Sequence, residues 1–162
     1  MYKLLFDSDA LIKISKADFA DAVVENFEVI ITEEVYEETV KEGKKGFYPD
    51  ADKIEKLVQD NKIRIIKTHS KSKKKLKQIF GKGETSIYQA HKKNNLIVTD
   101  DLSFTLYMQK ENIKTISSAH VLFMLVKKNK IKKDEAYICL EKLRPFIRKE
   151  VYKLVKDDIK GE

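Results

Sequence analysis

The sequence predicts an α/β protein of three layers, in which helices cover both faces of a twisted, mainly parallel central sheet. Two observations predict this fold class. Short apolar runs of strand length alternate along the chain with segments of helical character, and this alternation is typical of parallel sheets with helical crossover connections. The chain has 162 residues, 42% of them hydrophobic, which is enough for one core. We therefore expect a single domain over residues 1–162.

The first half of the chain contains predicted strands and helices in alternation. Tyr2 to Phe6 is an apolar run that ends in Asp-Ser-Asp, as expected where a buried strand meets the cap of a helix. Thr32 is expected to cap the third helix and Gly43 to end it, and the stretch 42–50 is expected to be flexible. The predicted strands are 2–6, 28–31 and 62–67, and the predicted helices are 10–16, 19–26, 33–40 and 51–61.

The second half begins with a basic segment, 69–83, and then continues the alternation. Strands are predicted over 96–99 and 114–117, and helices over 84–93 and 102–111. The core is expected to lie in about residues 1–125, and a helical C-terminal segment in about residues 119–158. Apolar positions of that segment are predicted to pack on the core: Ile138, Leu140, Leu143, Ile147, Val151 and Leu154.

Charge and cysteine content limit the classes of function. Lys and Arg number 33 against 26 Asp and Glu, and the net charge of +7 favours a polyanionic partner such as nucleic acid. Cys139 is the only cysteine, so neither an intrachain disulfide nor a thiolate metal cluster can form. No apolar run reaches the length of a membrane span, and the N-terminus lacks the pattern of a signal peptide. We expect a cytoplasmic protein without membrane contact.

Acidic side chains occur where the predicted strands end or where the following helices begin: Asp7, Asp9, Glu38, Glu84, Asp100 and Asp101. The carboxyl ends of neighbouring parallel strands open onto one crevice, so these side chains can converge. Carboxylates that lie close together repel one another unless a cation neutralises them. Mg²⁺ or Mn²⁺ prefers oxygen ligands, and such an ion activates water for attack on phosphate esters. The pattern therefore predicts metal-dependent phosphodiester hydrolysis.

Each acid also has an ordinary structural interpretation. The acids that follow strands can cap the next helix, and Glu84 can interact with a helix dipole. Glu38 is one of five Glu in residues 33–42, most of which must face solvent. Capping alone predicts no convergence of these side chains, whereas a metal site predicts it.

Other motifs indicate less. The segment before Glu84 lacks the spacing of a phosphate-binding loop, because Leu76 and Gly83 stand where Gly and Ser or Thr are needed. Gly81 and Gly83 are predicted to let the backbone turn tightly before a helix. The histidines are scattered and are predicted to be surface or packing residues: His69, His91 and His120.

Four segments, in this order, resemble the motifs of the PIN domain, a small nuclease domain of toxin–antitoxin toxins and of RNA-processing factors: FDSDALIKI, VYEETVKEG, GKGETSIYQAH and LIVTDDLSF. The resemblance covers about residues 1–125. It implies a PIN-like fold, with a twisted parallel sheet between helices, and a divalent-metal site built from one acid of each motif.

The catalytic residues that the resemblance implies are Asp7, Glu38, Glu84 and Asp101. Asp7, Glu84 and the acid after the fourth strand would bind the metal, and Glu38 would not be a ligand. The acid after the fourth strand is Asp101 when residues 99–104 are aligned with T-x-D-x-x-F forms, and Asp100 when weight falls on the first member of the Asp-Asp pair. Asp9 and Ser103 would support the ligands from adjacent positions.

The activity that the resemblance implies is that of an endoribonuclease using Mg²⁺ or Mn²⁺, in the toxin half of a type II toxin–antitoxin pair. A homodimer and a cognate antitoxin that lies over the site would then be expected. A run of lysines before Glu84 is expected either to guide the RNA backbone towards the metal or to form a solvated face: Lys71, Lys73, Lys74, Lys75 and Lys77.

Two alternatives fit part of the sequence. LLFDSD and LIVTDD are also similar to the signatures of haloacid-dehalogenase phosphatases, in which Asp7 would be the nucleophile and Asp9 the general acid. Leu11 departs from the Thr or Val usual in that family, and Glu38 and Glu84 would have no role. The second alternative is a catalytically inactive PIN-like module that binds RNA or a protein through its basic surface.

Overall fold

A five-stranded parallel sheet forms the centre of the molecule, as seen in a computed structural model that describes residues 2–68 and 74–162. The strand order is β3-β2-β1-β4-β5, and each neighbouring pair is parallel. The expected α/β fold with helices on both faces is confirmed. The strands are β1 (Lys3–Phe6), β2 (Glu28–Thr32), β3 (Ile63–Ile66), β4 (Asn95–Val98) and β5 (Thr115–Ile116).

Helices connect the strands and continue after the last one. The helices before β4 are α1 (Ser8–Lys16), α2 (Ala20–Asn26), α3 (Glu33–Tyr36), a π-helical segment (Glu37–Glu42), α4 (Gly43–Lys45), α5 (Pro49–Gln59), α6 (Lys74–Ile79) and α7 (Lys82–Ala90). The helices after β4 are α8 (Leu102–Lys110), α9 (Ser118–Lys127), α10 (Lys133–Leu143), a 3₁₀ turn (Arg144–Phe146) and α11 (Lys149–Gly161).

The central strand β1 determines where a site can form. It pairs with β2 on one side and with β4 on the other, so the connections leave it in opposite directions. A crevice opens at the carboxyl edge of a sheet where the strand order reverses in this way. Leu4, Leu5 and Phe6 are fully buried, because helices cover both faces of this strand. The residue that follows Phe6 therefore enters the crevice from a fixed position.

The helix after β2 is longer than the sequence predicts. Thr32 caps it as expected, with its hydroxyl accepting from the Val35 amide, but Gly43 does not end it, since the helical backbone continues to Lys45. Gly43 has helical dihedral angles, and a Cβ there would lie 2.9 Å from the Cβ of Ala51. Its role is to allow close packing of α4 against α5. Much of the stretch 42–50, expected to be flexible, is thus helical.

The C-terminal helices pack against the domain and against one another. Leu140 and Leu143 are buried, as predicted, and α9 contacts both α10 and α11. The prediction is wrong for Ile138 and Leu154, which are 60% and 53% exposed. The buried positions of α11 follow a helical period that leaves Leu154 on the other face: Tyr152, Val155 and Ile159. Ile147 and Val151 are partly buried against the core. No helix in the described ranges is long and apolar enough to cross a bilayer.

Two leucine-sized residues of α10 provide a test of this packing. We expect Leu143→Ala to lower the free energy of unfolding by about 2–5 kcal/mol, because it removes a fully buried side chain. Ile138→Ala, at an exposed position of the same helix, should change it by less than about 0.5 kcal/mol. Urea unfolding measures both values. Equal effects would contradict the orientation of α10.

Candidate active site

Four acidic side chains from separate parts of the chain line one cavity of about 210 Å³ at the carboxyl edge of the sheet. Asp7 follows β1, Asp101 follows β4, Glu38 lies in the π-helical segment after β2, and Glu84 lies in the first turn of α7. Ser8, Asp9 and Gly83 complete the lining. The convergence that distinguishes a site from separate helix caps is therefore present.

Asp7 is the most buried of the four acids, with 5% of its surface exposed. Its Oδ1 accepts a hydrogen bond of 2.7 Å from the Ala10 amide, so it caps α1, and the Thr99 hydroxyl also bonds to its carboxyl group. The pKa of Asp7 is raised to about 7, mainly by burial. The nearby carboxylates of Asp100 and Asp9 also raise the pKa, whereas the two hydrogen bonds lower it. Negative charge at this position is thus poorly compensated within the protein.

Glu38 is held by neighbours from two other elements. The Ser8 hydroxyl donates a hydrogen bond to its Oε2, and its carboxylate lies over Gly83, where a Cβ would come within 2.7 Å of Oε2. Helix α7 is fixed against the β2–α3 junction by a 2.6 Å hydrogen bond between the hydroxyls of Thr32 and Ser86. The sequence of β2 and α7 therefore sets the place of the Glu38 carboxylate.

The two glycines before Glu84 make room for carboxylates. A Cβ on Gly81 would lie 2.8 Å from Oε2 of Glu84, just as one on Gly83 would meet Glu38. Gly81 is the N-cap of α7, in the two-residue connection from α6, but the turn does not use backbone conformations peculiar to glycine, because no glycine among the described residues has a positive φ. Their lack of a side chain, and not their backbone freedom, is what the site uses.

The neighbouring residues Asp100 and Asp101 point to different places, Asp101 to the cavity and Asp100 away from it. Asp101 lines the cavity, and its Oδ1 accepts a 2.7 Å hydrogen bond from the Phe104 amide, which caps α8. Asp100 points to the start of α9, where its two oxygens accept from the amide and the hydroxyl of Ser118 at 3.1 and 2.7 Å. Of the two, Asp101 has the position that a ligand in the cavity requires.

A lysine that the sequence did not single out lies behind the acids. Lys13 Nζ is 2.5 Å from Asp9 and 3.4 Å from Asp100. Burial alone would lower the pKa of Lys13, but the two carboxylates outweigh it and raise the pKa above its usual value. Its only sequence signal is the spacing of four residues from Asp9. Ser103, predicted to support the ligands, is exposed in α8 and does not line the cavity.

One comparison with known proteins identifies the family. The model of family DUF3368, described as a PIN domain, matches residues 3–160. The chain belongs to the PIN-domain family. PIN domains are in general nucleases, so the fold is of nuclease type. The match extends past residue 125, and this PIN domain therefore includes α9, α10 and α11. Comparisons with curated proteins and with solved structures gave no significant match.

The side chains of the five predicted RNA-binding lysines all lie outside the described part of the chain. Lys71 and Lys73, like His69, lie outside the described residues of this PIN domain, and so do the side chains of Lys74, Lys75 and Lys77. The backbone of the last three belongs to α6, which packs beside α7, the helix that carries Glu84. Neither of the other histidines, His91 and His120, lines the cavity, and burial lowers the pKa of each.

The donor set of the cavity fits a hard divalent cation. Its side-chain donors are carboxylates and a hydroxyl, all oxygens, as Mg²⁺ and Mn²⁺ prefer. In residues 2–68 and 74–162 no three Asp, Glu, His or Cys side chains already form a metal cluster. The acids instead hold other partners: Glu38 bonds to Ser8, and one oxygen each of Asp7 and Asp101 bonds to a helix amide. An ion would need small side-chain rotations to collect its ligands.

The burial of Asp7 gives a testable dependence of stability on pH. Because the pKa of about 7 in the folded protein exceeds the ordinary 3.8, the contribution of this group to stability is complete below pH 4 and is lost as the pH rises towards 7. In EDTA at pH 8, Asp7→Asn should therefore be more stable than the wild type by at least about 1 kcal/mol, since one pKa unit corresponds to roughly 1.4 kcal/mol. Asn retains the helix cap.

Thermal unfolding of both proteins from pH 4 to pH 8 measures this effect. Asp101→Asn is the matched control, because Asp101 caps α8 in the same way but is exposed. We expect it to leave the pH dependence unchanged. An Asp7→Asn variant that is no more stable than the wild type at pH 8 would show that Asp7 is not an uncompensated charge.

Proposed function

We propose that this PIN domain is a divalent-metal-dependent endoribonuclease that uses Mg²⁺ or Mn²⁺. The observation that carries the proposal is the meeting of Asp7, Glu38, Glu84 and Asp101 around one cavity, in a member of a family of nuclease domains. The acids at the cavity by themselves would repel a phosphodiester. The net charge of +7 supports a nucleic acid substrate nevertheless, because an excess of Lys and Arg attracts a polyanion to the protein.

Each residue has a distinct role in the proposed reaction. Asp7, Glu84 and Asp101 would hold the metal ion, which when bound lowers the pKa of water and offsets charge on the phosphoryl oxygens. Glu38 accepts a hydrogen bond from the attacking water and aligns it with the phosphorus, while Ser8 keeps the Glu38 carboxylate oriented. Attack in line with the leaving oxygen would give a 3′-hydroxyl and a 5′-phosphate.

Lys13 lies behind the proposed catalytic acids. Its single positive charge offsets part of the negative charge of Asp9 and Asp100, so that less of that charge opposes the binding of a phosphodiester. Lysines of the segment 71–77 would attract the RNA backbone without reading its sequence.

The biological setting proposed here is a toxin of a type II toxin–antitoxin pair, acting in the cytoplasm as a homodimer. A cognate antitoxin would cover the cavity. This setting is supported by the resemblance of the four motifs to those of PIN-domain toxins. Growth arrest on expression of the wild type, but not of Asp7→Asn, would agree with it.

No observation favours the phosphatase alternative. The matching family is a PIN domain, and Asp9, the general acid in that alternative, is paired with Lys13.

The four acids can be tested by RNA cleavage. We expect purified protein to cleave a mixed pool of RNAs with Mn²⁺ or Mg²⁺ and not with EDTA, and Asp7→Asn and Glu84→Gln to abolish cleavage. Glu38→Gln should lower the rate at least about 100-fold, the lower end for a positioned acid–base group. Its neighbour gives a matched control, because Glu37 is exposed and pairs with Lys41, so Glu37→Gln should cleave as the wild type does.

The outcomes separate the candidate functions. Cleavage that survives in the folded Asp7→Asn and Glu84→Gln variants would contradict the proposal. RNA binding without cleavage in any metal would support the inactive binding module, and hydrolysis of a small phosphomonoester would support a phosphatase.

Gly83→Ala tests the positioning of Glu38. The added methyl would displace the Glu38 carboxylate, whereas Ala is favoured over Gly within a helix by up to about 1 kcal/mol. We expect a folded protein whose cleavage rate falls about as far as in Glu38→Gln. The double variant should then lose little more than either single variant. Additive losses, measured as initial cleavage rates, would show that Gly83 acts independently of Glu38.

A further inference from the structure

A second cavity, of about 410 Å³, lies beside the carboxylate cavity on the other side of the start of α7. Lys82 and Thr85 line the second cavity, whereas Gly83 and Glu84 line the first. These residues belong to about one helical turn, which rises only about 5.4 Å. A volume of this size is typical of pockets that bind small organic groups. The two cavities therefore share the first turn of α7 as a common wall.

Two buried polar atoms of this cavity lack a hydrogen-bond partner. They are Oε2 of Glu34 and the hydroxyl oxygen of Thr85, and no group among the described residues bonds to either. Thr85 is only 3% exposed. A buried polar atom without a hydrogen-bond partner is unfavourable, so a ligand that supplies the missing hydrogen bonds would bind more tightly than one that does not.

The Glu34 carboxylate already has a fixed orientation. The Thr68 hydroxyl donates a 3.0 Å hydrogen bond to its Oε1. Each oxygen of an ionised carboxylate can accept two hydrogen bonds, so Oε1 keeps one acceptor position beside the unpartnered Oε2, and the two oxygens together can accept from two adjacent donors. Glu34 lies four residues before Glu38, so neighbouring positions of the same helical stretch serve the two cavities. The free acceptor is thus held on the same support as a proposed catalytic acid.

One wall of the cavity is aromatic. Phe80 lines it, and the ring is fixed by edge contacts with Phe104 and Tyr107, each at 5.3 Å between ring centroids. Stacking of a base on an aromatic side chain stabilises complexes with single-stranded nucleic acids. Gln89, one turn after Thr85, adds an amide, and Lys82 adds a positive charge. An apolar wall, a few polar groups and a cation match an unpaired nucleotide.

The chemistry of Glu34 selects among the bases. A carboxylate only accepts hydrogen bonds, and guanine presents two adjacent donors, N1–H and the 2-amino group, on one edge. Adenine and cytosine present one amino group beside an acceptor nitrogen, which the carboxylate would repel. Uracil presents one N–H between two carbonyl oxygens. Guanine alone can therefore give both of its donors to Glu34.

We propose that this cavity binds a guanine base next to the scissile phosphate of the RNA, with Glu34 accepting from N1–H and the 2-amino group, Thr85 bonding to the base and Phe80 forming the stacking wall. This assignment rests on the proposed ribonuclease function and adds base selectivity to it. Cleavage would then occur beside guanine.

The experiment measures binding and cleavage separately. Fluorescein-labelled hexanucleotides, all adenosine or with one central guanosine, cytidine or uridine, are titrated in EDTA with fluorescence anisotropy as the readout. They are then cleaved in Mn²⁺. We expect the wild type to bind and cleave the guanosine oligomer at least tenfold better than the others. Glu34→Gln and Thr85→Val should each reduce that preference at least fivefold.

Glu33→Gln is the matched control, because Glu33 is an exposed neighbour that lies 3.7 Å from Lys67 and is not part of the cavity. It should keep the full preference. Cleavage without base preference, or a preference that Glu34→Gln does not change, overturns the guanine site and leaves the nuclease intact. A preference for another base that is lost in Glu34→Gln overturns the choice of guanine. Selective binding without cleavage supports the site and overturns the nuclease, and absence of both overturns both.

Discussion

A carboxylate at the buried end of a central strand is the constraint on which the rest of this site depends. β1 is covered on both faces, so Asp7 leaves the sheet where little water can reach it. Its raised pKa reports the cost of charge at that position. Four more acids line the same small cavity. Such an arrangement is stable only where other groups offset part of the charge, and the neighbouring elements supply several of them.

Helix starts and Lys13 provide that compensation. Asp7 and Asp101 each accept from the first-turn amide of the helix that follows their strand, where the helix dipole also favours negative charge. Helix capping and a place in the cavity are compatible, because Asp7 and Asp101 each do both. Lys13 offsets part of the charge of Asp9 and Asp100 behind the cavity. In the proposed function, a divalent cation would neutralise the negative charge that these groups leave.

The sequence predicts this framework well and its details less well. The spacing of apolar residues and the length of the apolar runs predicted the alternation of strands and helices. The acids at the strand ends predicted where the cavity lies. The glycines were misread because their partners are distant in sequence: Gly43 faces Ala51 and Gly83 faces Glu38. Adjacent residues such as Asp100 and Asp101 cannot be separated without knowing where α9 begins. Glu34 lies outside the four motifs and Thr85 had no predicted role within its motif, so only the burial of a polar atom without a partner marks them.

The π-helical segment after α3 is the remaining feature that the sequence did not indicate. Such segments are rare overall but are often found at functional sites, and here the segment carries Glu38 to the cavity.

The position of the ion itself, from anomalous diffraction of crystals soaked in Mn²⁺, tests the proposed metal site. We expect one or two peaks within ligand distance of Asp7, Glu84 and Asp101, and none in crystals of Asp7→Asn. A Mn²⁺ peak elsewhere on the protein, with the cavity empty at saturating Mn²⁺, would contradict it.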